Sequence, residues 1–115
     1  MSMYRGEVWL VNLSADAKDA EIKKSRPCVV VNDDAIVVLP LKIIVPLSRW
    51  QDRYNVAPWH IPLDISSENG LTQRSTADTF QVRSISESRF IEKIGELTKG
   101  DLERIGQGLA ICLCL

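Results

Sequence analysis

The chain is poor in features that would identify a chemistry outright. It holds a single histidine, His60, and no phosphate-cradling glycine loop, dinucleotide fingerprint or carboxylate cluster spaced for magnesium. Any reaction it runs is therefore expected to need no cofactor. Its cysteines are three, at 28, 112 and 114, an odd number set in apolar surroundings. Cys-x-Cys beside one histidine in the whole chain is a poor zinc pattern, so no metal is expected. Reduced thiols serving as small apolar residues are the simpler reading. Long apolar runs are missing too. The longest, Ala35–Leu41 and Ile43–Leu47, are divided by Lys42, and neither approaches the roughly 20 residues of a membrane span. The opening Met-Ser-Met-Tyr-Arg-Gly-Glu has no apolar signal core, so a cytoplasmic protein with no membrane role is expected. A surplus of one charge is also missing: 14 Lys and Arg stand against 15 Asp and Glu, which gives no hint of a polyanionic partner.

What remains is ordinary globular material. With 45% hydrophobic and 25% charged residues, disorder is excluded. A length of 115 residues fits a single domain, 1–115. Glu7–Leu13 alternates with apolar residues on both faces, as a strand of a small barrel does. Pro27 opens a β-branched run, Cys28–Val31. Asn32-Asp33-Asp34 is turn chemistry and predicts a hairpin into Ala35–Leu39. Ile43–Leu47 follows, with Pro46 predicting a sheet edge or bulge. His60–Leu63, Asp78–Val82 and Glu92–Leu97 read as short strands, and Ser86–Phe90 as one capped helical turn. Thr98 can cap a last helix whose Leu102, Ile105 and Leu109 make one apolar stripe. The expected class is mainly β with appended helices, a small barrel-like domain.

Two polar stretches between strands, Ser14–Ser25 and Ser48–Ala57, are surface loops of the kind that carry function. The first ends Lys23-Lys24-Ser25-Arg26-Pro27. Pro27 biases Arg26 toward extended backbone, which holds a guanidinium at a strand edge where it can grip phosphate in two parallel hydrogen bonds. A solvated basic turn is the plain alternative. Glu21 can orient that arginine, take a proton, or be a surface carboxylate. The second stretch interleaves Arg49, Trp50, Arg53 and Tyr54, a mixture that suits single-stranded nucleic acid. Ser48 ends a strand, with its hydroxyl available to a site. His60 is either a base near neutral pH or a satisfied strand residue.

Four blocks in order resemble the MazF/PemK toxins, the toxin halves of bacterial type II toxin–antitoxin pairs. They are Arg5–Leu13, Glu21 with Arg26-Pro27 and its Val-rich strand, Ile43–Ser48, and Ser75–Ile85 continued by Arg89-Phe90 and Lys93–Leu97. The resemblance implies an SH3-like barrel with a C-terminal helix, forming a homodimer. It implies a metal-independent endoribonuclease cutting single-stranded mRNA, in which the ribose 2′-hydroxyl attacks phosphorus and leaves a 2′,3′-cyclic phosphate. It implies an antitoxin partner whose tail covers the RNA groove. Carried over by position, Arg26 matches the catalytic arginine, Ser48 the second catalytic position and Glu21 a loop carboxylate. Gln81 matches a recurrent strand glutamine, and Lys23, Lys24, Arg49, Trp50, Arg53, Gln81 and His60 are the expected substrate-binding set. Lys23-Lys24 fill a place that relatives often give to glycine. Phe80 stands where some relatives have an aspartate, so the general base rests between Glu21 and His60. Two rival readings stay open: a gyrase-binding toxin of the same fold, and a peptide-binding module using Trp9, Trp50 and Trp59.

The balanced net charge hides an asymmetry. The stretch Lys23–Arg53 holds six cations against Asp33, Asp34 and Asp52, so it carries +3 and leaves −4 on the rest.

Overall fold

The computed structural model describes residues 2–14 and 24–115. Seven strands are present: β1 Glu7–Asn12, β2 Ser25–Val30, β3 Leu41–Arg49, β4 His60–Leu63, β5 Ser75–Asp78, β6 Arg83–Ser86 and β7 Phe90–Glu96. Short 3₁₀ turns cover Asp52–Val56, Thr79–Gln81 and Glu87–Arg89, and one helix, α1, runs over Lys99–Leu113. Every pairing is antiparallel. The order is β4-β5-β3-β2-β1-β7, with β6 also paired to β3. Among the described residues no ladder joins β4 to β7, so the curved sheet stays open. No described helix is long and apolar enough to cross a membrane.

The two-faced alternation of β1 places its residues in separate cores. Val8 packs with Val29, Val45, Leu47 and Ile105 of α1. Trp9, Val11 and Leu13 pack with Cys28, Val30, Ile44 and Phe90 on the other face. Cys28 is fully buried, and burial pushes its thiol up to about 12 against the charge of Arg83, so it is an inert apolar filler. The helix forms as its sequence predicts. Thr98 accepts a hydrogen bond from the Asp101 N–H at 3.0 Å, and Ile105 is the buried centre of the stripe.

Three expectations are corrected. Ala35–Leu39 is not a strand, despite its β-branched content. Asn32 Oδ1 accepts the Ile43 N–H at 3.0 Å and takes over the ladder, so the chain leaves the sheet, and Val37 and Val38 stand 72% and 87% exposed. Asp78–Val82 stops being a strand at Asp78, because that carboxylate accepts the Phe80 N–H and tightens the next residues into a turn. Pro46 lies in the middle of the longest strand. On one side β3 pairs with β6 up to Ile44 and with β5 from Leu47, so the proline falls in the interval between two partners, where no ladder donor is required.

Candidate active-site cleft

The cleft opens where β3 loses β2. Its ladder with β2 ends at Cys28↔Pro46, while its opposite edge pairs with β5 from Leu47 onward. The same register carried two residues further sets Arg26 opposite Ser48, just where the strands part. Both line the resulting cavity of about 180 Å³, together with Pro27, Arg49 and Ser75. Arg26 is fixed from its other side by pairing with Val11 on β1. Its Nε is buried and makes no hydrogen bond among the described residues.

The facing wall is Gly70–Gln73, which the sequence reading did not single out. Asn69, almost fully buried, builds it. Its Oδ1 accepts from Ser66 N at 3.2 Å and Leu71 N at 3.0 Å, and its Nδ2 donates to the Asp64 carbonyl at 2.9 Å. Gly70 follows with φ +69°, and its loop lies so close to Gly95 of β7 that a Cβ there would meet Asn69 backbone at 2.4 Å. The Asn-Gly pair was the available signal for this turn.

Beside the cleft runs a linked set of rings. Trp50 meets Tyr54 edge-on at 5.7 Å, and Tyr54 stacks on His60 at 3.8 Å, nearly parallel. Two guanidiniums accompany them, Arg74 over Trp50 at 5.0 Å and Arg53 over Tyr54 at 5.3 Å. Thr76, directly across the ladder from Ser48, contacts His60 Nδ1 through its hydroxyl at 2.9 Å. Burial lowers the His60 pKa, the charge of Asp78 opposes this and that of Arg53 adds to it, so the ring is biased toward its neutral form.

The expected site residues thus separate. Arg26, Ser48 and Arg49 share the cleft. Trp50, Arg53 and His60 form the neighbouring ring-and-cation set. Gln81 lies off the cleft, donating to Asp78 Oδ2 at 2.8 Å. Lys24 is exposed with φ 77°, and Glu21 and Lys23 lie outside the described residues. Among the described residues, no three His, Cys, Asp or Glu side chains are arranged to hold a metal ion. An arginine fork and a hydroxyl at the mouth of a small cleft, flanked by rings and cations, are suited to a phosphodiester with unpaired bases.

A protein named Endoribonuclease MazF9, from Mycobacterium tuberculosis (strain ATCC 25618 / H37Rv), is 29% identical over 119 aligned positions, which cover 98% of each chain. A solved mycobacterial endoribonuclease in complex with its cognate antitoxin superimposes with a TM-score of 0.77 at 17% identity, over 100% of this chain and 97% of the other. MazF from Deinococcus radiodurans does so with a TM-score of 0.78 at 19% identity, over 96% of both chains. The family model of PemK-like, MazF-like toxins of type II toxin–antitoxin systems matches residues 4–113, and the chain belongs to that family.

Proposed function

We propose that this chain is a toxin that cleaves single-stranded RNA without a metal ion, and that a cognate antitoxin silences it. The carrying observation is that Arg26 and Ser48, 22 positions apart in the chain, come to one cleft at the parting of β2 and β3. In this reading the substrate supplies its own nucleophile, the ribose 2′-hydroxyl. The protein needs to stabilise charge at phosphorus and to move protons. Arg26 holds the equatorial oxygens of the phosphorane in its fork, and Ser48 hydrogen-bonds the scissile phosphate. Glu21 or His60 removes the 2′-hydroxyl proton as the new P–O bond forms, and the departing 5′-oxygen takes a proton from water to leave a 5′-hydroxyl end. Arg49, Arg53, Lys23 and Lys24 follow the backbone, and Trp50 and His60 take bases. The acidic segment of an antitoxin would compete for the same cations. Action in the cytoplasm as a homodimer completes the reading.

Long single-stranded RNA incubated with the pure protein in EDTA tests this. Discrete fragments ending in 2′,3′-cyclic phosphate, lost in Arg26→Ala, are expected. Intact RNA together with stalled gyrase would transfer the protein to the gyrase-binding reading. Intact RNA with no growth arrest on expression would leave a binding module.

A further inference from the structure

The ring set beside the cleft does not end at His60. Trp59 lies 6.1 Å from His60, and Phe80 lies 6.2 Å from Trp59, centroid to centroid. Phe80 is 69% exposed. Its backbone is also pinned by hydrogen bonds. Its N–H donates to Asp78 Oδ1 at 3.2 Å, and the preceding Thr79 donates through its hydroxyl to the Trp59 carbonyl at 2.7 Å. Thr79 itself is fully buried against Gly108 of α1. The two rings are therefore carried on segments tied to one another, at the outer end of an aromatic path that begins next to Ser48.

We propose that Trp59 and Phe80 form a base-stacking subsite for a nucleotide of the RNA that lies outside the cleft. The proposal rests on the nuclease reading above and extends it. Nucleic acid is favoured over a protein partner by what accompanies the rings. Guanidiniums sit over Trp50 and over Tyr54 along the same path, and alternating rings and cations serve bases and phosphates together.

The test uses RNA oligonucleotides centred on the bond that the wild-type protein cuts, lengthened one nucleotide at a time on either side. For the wild type, kcat/KM is expected to step up about tenfold when the added nucleotide reaches the outer rings. Phe80→Ala is expected to abolish that step and Phe80→Trp to retain it. A step that survives in Phe80→Ala overturns the proposal. So does an unchanged step accompanied by a changed oligomeric state or weakened antitoxin binding, which would make Phe80 a protein contact. If the wild type cuts no RNA, the nuclease reading falls separately. The subsite is then judged by anisotropy of a labelled oligonucleotide: weaker binding to Phe80→Ala supports it, and equal affinity overturns it.

Discussion

Arg26 sits half-buried where two strands part, lining the cleft. A lysine there would keep the charge and lose the fork. Arg26→Lys is therefore expected to lose roughly 100-fold in cleavage rate, close to the loss of one charge-stabilising donor, while thermal unfolding stays near wild type. Ser48→Ala should slow cleavage by a smaller factor and Ser48→Thr should restore it, measured on the same RNA. The sequence placed both residues at strand ends, but Arg26 alone read equally as a basic turn and Ser48 as a strand-end serine; it was the family resemblance that singled them out. Asn69 was not legible, since its importance comes from burial and from contacts to Asp64, Ser66 and Leu71 that only the folded loop creates. Burial pushes the Glu7 carboxyl pKa up, but hydrogen bonds from the Tyr4 N–H, Lys93 and Trp9 outweigh burial and hold it below the ordinary carboxylate value. A carboxylate whose folded pKa is depressed stabilises the fold above its unfolded pKa, and that stability is lost as pH falls through the folded value. Glu7→Gln should cost about 1.5–3 kcal/mol at neutral pH and flatten the acid limb of the denaturation profile below pH 4.5.

At the scale of elements, the same residue type has opposite meanings two positions apart in α1. Nothing lies within 4 Å of a Cβ placed on Gly106, whereas one on Gly108 would meet Thr79 Cγ2 and Oγ1 at 2.9 Å. Thr79 cannot retreat, since it is fully buried and bonded to the Trp59 carbonyl. Gly106→Ala should therefore stabilise the protein by up to about 1 kcal/mol through helix propensity. Gly108→Ala should destabilise it by about 1–3 kcal/mol through overpacking. Urea unfolding of the two variants checks the pair. Sequence alone cannot distinguish the two glycines, because the difference is a neighbour on another element. Periodicity and caps were otherwise reliable guides: the Thr98 and Ser86 caps and the β4 bounds are where the residues put them. The strand expected over Ala35–Leu39 failed for a tertiary reason. Propensity describes a willing strand, but a strand needs a partner, and β3 was already paired on both sides.

For the whole molecule, the question is how many of the clustered cations face one side. Sequence alone counted six between Lys23 and Arg53. Lys42 leaves that set, because it is buried and turned toward Glu87 at 3.9 Å. Arg49 and Arg53 are exposed near the cleft, Arg26 is within it and Lys24 is exposed immediately before β2. Arg74 joins them from outside the counted stretch, stacked on Trp50 and paired with Asp64 at 3.0 Å. Three or four phosphates neutralised by this group would give a slope of roughly −2 to −3 for log affinity against log salt on a single strand. The measurement is anisotropy of a labelled oligonucleotide with a 2′-deoxy sugar at the scissile position, titrated from low to moderate salt. Arg53→Gln should reduce the slope by about 0.7. Lys42→Gln should leave it unchanged. A wild-type slope steeper than about −5 would mean that further cations, Lys23 among them, line the path of the RNA. An altered slope in Lys42→Gln would place that residue on the binding face after all.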